Sequence, residues 1–374
     1  MWFPLLALAP IPYVEGAAPP KALPAESLPA LVLHLPGLVK ANYLDNGHIE
    51  VAQLLLQVPG PVTPEDLLHL AQKALKEAIE ARPSLAEVDL SLYPAPYAFN
   101  TELPLFTASV PRGRVQEFLS LRKPFGYERL WLRSGHAPLK PQEEILEDWP
   151  RLEGPEAYRA KEKAEQLLST RTGFRGSVLY HGNPLLPYAA LTFDDAPHPL
   201  FTPLLLDLLK RLGLKATFFV IGRNAEAYPY LVRDLVAAGH ELGNHTYHHL
   251  RLPGLPEEEI RQEILQCNRV LEQISGSPPH LFRPPGGRFN RTVLQVAKDL
   301  GLVTVFWTDD PGDYAGLPRP VLESRLLGHL RPGGIILLHD NVLATLRVLP
   351  HLAHKAHTRG LTLGPVGGLL RALR

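Results

Sequence analysis

The sequence contains few of the residues that would assign a protein to several common classes. Cys267 is the one cysteine in 374 residues, so an intrachain disulfide is excluded and cysteine usage favours no cellular compartment. No stretch reaches the roughly 18 uninterrupted apolar residues of a membrane-spanning helix. The 38 lysines and arginines balance the 38 aspartates and glutamates. Without a net charge, nothing favours nucleic acid or an anionic membrane as the partner. The sequence leaves the oligomeric state open.

The N-terminal segment allows two interpretations. Its first fourteen residues are apolar and are followed by small residues at 16–18, which is typical of a secretory signal. However, no lysine or arginine precedes Lys21, and three prolines interrupt the apolar run. Residues 1–40 are therefore expected to be either a signal peptide or a flexible lead-in. The protein is correspondingly expected to be secreted or held in the cell envelope, or otherwise to be cytoplasmic.

Residues 41–122 have the pattern of a small α/β module. Thr63 is a typical helix cap, because Pro64 follows it at the first helical position and acidic residues occupy the first turn. No catalytic spacing of residues occurs in this module. Its role is either that of a scaffold, which is the simpler interpretation, or polymer binding or partner docking. The predicted strands are 49–58, 88–93 and 105–110, and the predicted helices are 64–81 and 115–121.

Residues 123–176 are charged and punctuated by prolines, which predicts a connector. A run of alternating Lys, Glu, Ala and Leu predicts one helix in it, over 156–168.

Short apolar strands alternate with helical patterns from residue 177 to residue 374. This alternation implies parallel strands with right-handed crossovers, in either an open doubly wound sheet or a barrel. The predicted strands are 189–193, 216–221, 241–243, 281–282, 303–307 and 334–338, and the predicted helices are 201–212, 229–238, 256–274, 290–300, 320–330 and 342–357.

Polar residues that are able to do chemistry follow strand after strand at the same end. In parallel α/β barrels the loops at the carboxyl ends of the strands face one another, so these residues are expected to converge. They are Asp194 and Asp195 after the first strand, His245 and His249 after the third, Arg283 after the fourth, Asp310 and Asp313 after the fifth, and His339 and Asp340 after the sixth.

The segment H-T-Y-H-H at 245–249 has the strongest metal-binding character. His245 and His249 are four residues apart and would face the same way on a helical turn, and imidazole is a preferred ligand of zinc. With Asp195 they make three protein ligands, which leaves the open position that a catalytic zinc needs. Spacing alone does not decide between His249 and His248. Taken separately, the histidine cluster is also consistent with a surface role, and the Asp194–Asp195 pair with a simple turn.

Five motifs in order carry a resemblance to a known family. They are T-F-D-D-A-P at 192–197, H-T-Y-H-H at 245–249, R-P-P-G-G at 283–287, D-P-G-D-Y at 310–314 and L-L-H at 337–339. The segment from about 177 to 373 resembles the NodB-homology domain of the family 4 carbohydrate esterases, the polysaccharide deacetylases. The resemblance implies an α/β fold, a distorted (β/α) barrel of about seven strands, preceded here by the smaller N-terminal α/β module.

The resemblance also implies a role for each matching residue. Asp195, His245 and His249 would bind one divalent metal, usually zinc, with Co²⁺ or Ni²⁺ as alternatives. The catalytic set would be Asp194 as general base, Arg283 as its orienting partner, His339 as general acid and Asp313 as the partner of that histidine.

Three positions depart from the usual family pattern near the expected substrate. Ala196 replaces a usual glycine and restricts the backbone beside a metal ligand. Gly286 stands where tyrosine is commoner, but glycine keeps the backbone N–H that the family uses to bind the oxyanion. Tyr314 replaces a usual tryptophan in the wall that contacts the sugar. Leu337 would line the pocket for the acetyl methyl group.

The resemblance implies a metal-dependent deacetylase that acts on the N-acetyl groups of an amino-sugar polysaccharide, such as peptidoglycan, a chitin-like polymer or a matrix polymer. Two alternatives stay open. The same site would also hydrolyse O-acetyl esters or small amides, and the barrel could serve a catalytically silent carbohydrate-binding protein. The silent protein is the less favoured of these, because no expected ligand, base or acid is missing.

Overall fold

The computed structural model describes residues 28–97, 102–133 and 173–371. Two β-sheets organise these residues: a five-stranded sheet from the first part of the chain and a nine-stranded sheet from the second. This order agrees with the fold class expected from the sequence, a small α/β module followed by a larger α/β domain.

The first sheet is mixed and packs one face on a helix. Its strands are β1 (Leu38–Asp45), β2 (Glu50–Val58), β3 (Glu87–Pro94), β4 (Phe106–Pro111) and β5 (Leu130–Leu132), and its helices are α1 (Pro64–Ala81) and α2 (Val115–Ser120). The strands lie in chain order, with β2 and β3 parallel and the other neighbours antiparallel. Thr63 and Asp66 form a capping box that starts α1, as the Thr-Pro sequence predicts. Val88, Leu90 and Leu92 face α1 in an apolar core.

Two strands of this sheet were not predicted from the sequence. β1 begins at Leu38, inside the segment 1–40 that was expected to be a lead-in, and it pairs with β2. β5 lies inside the segment 123–176 that was expected to be a connector, and it pairs with β4. Both are edge strands without a clean alternation of apolar and polar residues, so pairing with a neighbour defines them more than periodicity does. The predicted helix at 156–168 lies outside the described residues.

The second sheet is almost entirely parallel. Its strands are β6 (Phe174–Arg175), β7 (Val178–Leu179), β8 (Tyr188–Ala196), β9 (Thr217–Val220), β10 (Glu241–Asn244), β11 (Leu281–Phe282), β12 (Val303–Val305), β13 (Ile335–His339) and β14 (Thr362–Gly364). The spatial order is β13-β8-β9-β10-β11-β12-β7-β6, with β14 also paired to β8. The six predicted strands of this domain are confirmed. The short strands β6, β7 and β14 are additional.

Helices fill crossovers between these strands, and one more helix follows β14. They are α3 (Phe201–Leu212), α4 (Gly222–Ala227), α5 (Pro229–Ala237), α6 (Glu257–Ser275), α7 (Arg291–Asp299), α8 (Arg319–His329), α9 (Leu343–Thr358) and α10 (Val366–Arg371). Within the described ranges, no helix is long and apolar enough to cross a membrane.

Backbone hydrogen bonds link the two ends of the parallel run of strands. The segment after β12 bonds to β13, at the other end of the strand order, through Thr308 N–H to Ile335 O (3.0 Å) and Leu337 N–H to Asp309 O (2.9 Å). The sheet therefore curls back on itself, and the carboxyl ends of its strands face a common centre.

The second face of the first sheet carries polar side chains that pack on the larger domain. The hydroxyl of Tyr230, on α5, donates a hydrogen bond to Asp89 Oδ2 at 2.8 Å. The hydroxyl oxygens of Tyr228 and Ser91 lie 3.1 Å apart. All four residues are buried, so the two domains share a closed polar interface.

Two further polar contacts join the first sheet to the larger domain. Asn46 donates to Asp207 Oδ2 on α3 at 2.9 Å. Arg129 pairs with Asp234 Oδ2 on α5 at 2.6 Å. The module is thus attached along two helices of the larger domain.

Candidate active site

The end of β8 presents two neighbouring carboxylates to different partners. Asp194 Oδ1 lies 2.7 Å from Arg283 Nη1, whereas Asp195 Oδ1 lies 3.3 Å from His249 Nε2. The pairing of β8 with β9 is irregular after Phe193, and Asp195 has a φ of 68°. Both carboxylates also lie near His245 Nε2, which is 3.8 Å from Asp194 Oδ2 and 3.6 Å from Asp195 Oδ1. The two acids therefore share one site, although their nearest partners differ.

Asp195, His245 and His249 form a cluster whose ligand atoms all lie within 4.8 Å of one another. The His245 and His249 Nε2 atoms lie 3.6 and 3.3 Å from Asp195 Oδ1. Ligands about 2.0–2.2 Å from a tetrahedral zinc ion stand roughly 3.3–3.6 Å from one another. Two imidazole nitrogens and a carboxylate oxygen at these separations therefore fit a zinc-type ion.

The state of His245 suits a metal ligand. Its Nδ1 lies 2.8 Å from the carbonyl oxygen of Arg283, so Nδ1 carries the proton and Nε2 is left facing Asp195. Burial, followed by the charge of His249, lowers the pKa of His245 to about 3. The imidazole is therefore neutral at physiological pH, as metal coordination requires.

The structure separates His248 from this cluster. Its Nδ1 lies 2.6 Å from Glu263 Oε1 on α6, on the other side of the loop. The four-residue spacing places His245 and His249 on one face of a helical turn, and that expectation is wrong. Residues 245–249 form a bend in which Thr246 and His249 have φ of 64° and 62°, in the left-handed region. His249 reaches the cluster through this bend.

Arg283 is a fully buried cation beneath the predicted base. Its Nη1 donates to Asp194 Oδ1 at 2.7 Å and to Thr192 Oγ1 at 2.8 Å. The guanidinium carbon stands 4.0 Å from the centre of the Phe219 ring. Burial lowers the pKa of Arg283 against the opposing effect of Asp194. The arrangement holds the Asp194 carboxylate in one orientation.

His339 ends β13 beside Asp194, its register partner on β8, and is held by Asp313. Its Nδ1 lies 2.8 Å from Asp313 Oδ1, its backbone N–H donates to Asp313 Oδ2 at 2.8 Å, and Thr345 donates to the same Oδ2 at 2.5 Å. Burial disfavours the imidazolium, but the charge and hydrogen bond of Asp313, with the charges of Asp195 and Asp194, raise the pKa of His339 to about 10. His339 is therefore protonated at neutral pH.

The remaining predicted residues lie on the same strands and loops as the residues of the site. The ring of Tyr314 is 53% exposed and meets the His339 ring edge-on, with centroids 5.1 Å apart. Leu337 is buried in β13, two residues before His339. Gly286 lies in the short turn Pro285–Gly287 with a φ of 59°. Ala196 is buried in the apolar core, which accommodates its methyl group.

Two buried acids contact the site but were assigned no role from the sequence. Asp340 follows His339, donates its N–H to Asp194 O (2.9 Å) and accepts the N–H of His198 (2.9 Å). Its place after a strand was noted, but its partners depend on the tertiary structure. The sequence does contain a signal for Glu263. It lies on the apolar side of α6, next to Ile264, where an acidic residue is unusual.

Comparisons with known proteins find relatives of the larger domain. Residues 182–305 match the family model for polysaccharide deacetylase. A peptidoglycan-N-acetylglucosamine deacetylase of Bacillus cereus is 38% identical over 177 residues, covering 45% of this chain and 83% of that protein. A chitooligosaccharide deacetylase of Sinorhizobium fredii is 40% identical over 156 residues, covering 41% of this chain and 72% of that protein.

Solved structures include both an enzyme and an inactive relative. A peptidoglycan N-acetylglucosamine deacetylase is 31% identical with a TM-score of 0.51, covering 52% of this chain and 92% of that chain. A carbohydrate esterase family 4 pseudoenzyme of Bacillus anthracis is 30% identical with a TM-score of 0.51, covering 53% of this chain and 70% of that chain.

The fold, the site and these relatives define the class of protein: this chain belongs to the polysaccharide deacetylase family. It is a hydrolase that acts on carbon–nitrogen bonds, with the NodB-type fold of the family 4 carbohydrate esterases. The resemblance, the fold class and the enzyme class expected from the sequence are confirmed.

Proposed function

We propose that this chain removes N-acetyl groups from an amino-sugar polymer with the help of one divalent metal, zinc in preference to Co²⁺ or Ni²⁺. The observation that carries the proposal is the joint placement of three groups. The Asp195–His245–His249 cluster, a carboxylate held by Arg283 and a protonated histidine held by Asp313 all lie at the carboxyl ends of strands of one sheet. The two relatives named for N-acetylglucosamine and chitooligosaccharide deacetylation support an N-acetylated sugar as the substrate.

Asp195, His245 and His249 would hold the metal. Their nitrogen and oxygen donors are those that zinc prefers, and three protein ligands leave a position free. When bound, the ion supplies positive charge that polarises the acetyl carbonyl and makes a water molecule a better nucleophile.

Asp194 and His339 carry the two proton transfers. Asp194 is an acceptor whose orientation is fixed by Arg283, so it takes the proton of the attacking water as general base. His339 is protonated at neutral pH and donates to the nitrogen of the leaving amino sugar as general acid. Asp313 keeps His339 charged and fixes its ring through Nδ1, which leaves Nε2 as the donor.

Three further residues would contact the acetylated sugar. The backbone N–H of Gly286 is a donor for the developing oxyanion, and the left-handed φ of 59° is one that glycine adopts without strain. Leu337 offers an apolar wall to the acetyl methyl group. Tyr314 presents an exposed ring beside His339, on which a sugar ring can pack.

A catalytically silent carbohydrate-binding protein is the second candidate, because a pseudoenzyme is among the structural neighbours. Against it, this chain keeps the metal cluster, the base with its cation and the acid with its carboxylate, each within contact of its partner. A protein selected for binding alone has no need of a charged histidine, an oriented carboxylate and a set of metal ligands in one site.

Acetate release from chitooligosaccharides and from N-acetylated peptidoglycan tests the proposal, with O-acetylated xylan as the ester substrate. The wild type should release acetate from the amides, stop after chelation and recover with added zinc. The matched variant His245→Ala should stay inactive after zinc is added. No acetate from any substrate would favour the silent binder, and release from xylan alone would identify an O-acetyl esterase.

A further inference from the structure

The loop 245–249 holds two metal ligands in a backbone conformation that is costly on its own. Thr246 and His249 have φ of 64° and 62°, where the Cβ of a residue with a side chain crowds the following carbonyl oxygen. Such conformations persist only where the surrounding structure fixes them. The contacts of this loop therefore decide whether His245 and His249 present their nitrogens together.

Every backbone N–H of the loop has a hydrogen-bond acceptor. His245 N–H donates to Val220 O of β9 at 3.0 Å, and Thr246 N–H donates to the Asn244 side chain at 2.7 Å. His249 N–H donates to the hydroxyl of Thr246 at 3.0 Å. The two residues between them, 247 and 248, donate to one residue of α6.

Glu263 is that residue. Its carbonyl oxygen accepts the N–H of Tyr247 at 3.0 Å. Its carboxylate accepts the N–H of His248 at 2.8 Å through Oε2, and Oε1 lies 2.6 Å from His248 Nδ1. A carboxylate only accepts, so Nδ1 is the donor. Glu263 is 6% exposed and His248 is 7% exposed, so water competes little for these bonds.

We propose that His248 and Glu263 are a positioning pair that fixes the metal-ligand loop, and that His248 is not itself a ligand. The inference rests on the metal site proposed above. His249 follows His248 directly, so a rotation at His248 moves the His249 ring out of reach of Asp195. Coordination bonds tolerate displacements of only about 0.2 Å. Loss of the pair therefore weakens metal binding without removing a ligand.

The first test removes both side-chain acceptors of Glu263. Glu263→Leu offers no acceptor to either donor of His248, whereas a glutamine amide would still pair with Nδ1 of the other imidazole tautomer. Zinc affinity, measured by competition with a chelating indicator, should fall about 10- to 100-fold, as for other residues that orient metal ligands. Glu272→Leu, at an exposed position of the same helix, is the control and should leave the affinity unchanged. An unchanged affinity in Glu263→Leu would overturn the proposal.

The second test separates positioning from ligation at His248. Asparagine places an amide N–H near the position of Nδ1 but is a poor zinc ligand, so His248→Asn should keep most of the affinity that His248→Ala loses. Thermal unfolding of the metal-free variants provides the comparison of stability. If His248→Asn lost zinc as fully as His245→Ala does, His248 would be a ligand and the proposal would be wrong. A wild type that bound no zinc would instead refute the proposed function.

Discussion

Two regions of the molecule bury an aspartate and treat its charge in opposite ways. At the module interface, Asp89 is 1% exposed and accepts hydrogen bonds from the hydroxyls of Tyr230 (2.8 Å) and Ser91 (3.1 Å). In the active site, Asp194 is 4% exposed and accepts from the guanidinium of Arg283 at 2.7 Å. Burial raises the pKa of Asp89 to about 7, against the smaller opposing effect of its hydroxyl partners.

The difference follows from what each region has to do. At the interface a neutral carboxyl is sufficient, because a protonated carboxyl still packs and forms hydrogen bonds. A general base has to be ionised at the working pH, and hydroxyls cannot supply the charge that a buried carboxylate needs. The larger domain therefore buries a guanidinium beside Asp194, although removing a cation from water costs several kcal/mol.

The largest expected effect is a difference in phenotype between Asp194→Asn and Asp195→Asn, the same substitution at the two aspartates that end β8. In Asp194→Asn the side chain cannot accept the proton, so acetate release should fall by roughly 10²- to 10⁴-fold while zinc is retained. In Asp195→Asn a charged ligand is lost, so zinc content should fall and added zinc should restore part of the activity. Zinc content and acetate release of both purified variants are the measurements. Exchanged phenotypes would mean that the base and the ligand are reversed.

A smaller effect is expected on the pH profile when the partner of His339 loses its charge. The general acid works while protonated, so activity falls as the pH rises through the pKa of His339. Asp313 is the main group that raises this pKa to about 10, against burial. In Asp313→Asn the alkaline limb of kcat should therefore move to lower pH, by about one unit or more.

Thr345→Val is the matched control for that change. It removes a neutral hydrogen bond from the same carboxylate but leaves the charge. Its alkaline limb should move less than that of Asp313→Asn. Equal shifts in the two variants would show that the hydrogen-bond network, and not the charge of Asp313, sets the protonation of His339.

The two regions also differ in how far the sequence predicts them. The strands and helices around the active site were predicted closely, because short apolar strands alternate there with clear helical patterns. The sequence contains no such signal for the interface. Asp89 and Ser91 alternate with apolar residues, as they would on a strand with one face in solvent. Strand β5 is three residues long and is defined by pairing, so no periodicity could show it.

Within the site, the sequence predicted which side chains converge but not how the histidines are presented. Asp194 and His339 are register partners on neighbouring strands, which follows from the parallel topology. The choice between His248 and His249 depended on a bend with left-handed residues at 246 and 249, in which His248 bonds to α6. The spacing of four residues carries no information about this bend.

The interface should be sensitive to the loss of one hydroxyl. Tyr230→Phe leaves Asp89 with one hydrogen bond fewer in a buried position, so the free energy of unfolding should fall by about 1–3 kcal/mol. Tyr314→Phe removes a hydroxyl at an exposed ring and should change the stability by much less. Denaturant unfolding at pH 7 measures both. Equal effects would indicate that the interface is open to water in solution.

The last comparison makes the same substitution at both aspartates. The carboxyl of Asp89 has a pKa of about 7 in the folded chain against an ordinary value of 3.8, so the folded state holds a proton that the unfolded state has released. Stability is therefore lost as the pH rises from about 4 to about 7, and the cost is complete above that range. The asparagine amide has no such proton to lose, so Asp89→Asn should raise the Tm by a few degrees at pH 8 and leave it nearly unchanged at pH 4. The buried acids Asp309 and Asp340 titrate in both proteins, so the difference reports Asp89 alone.

Asp194→Asn should instead lower the Tm at pH 8, because it leaves the buried guanidinium of Arg283 without its counter-charge. Shifts of the same sign at the two positions would mean that the two carboxylates are stabilised in the same way.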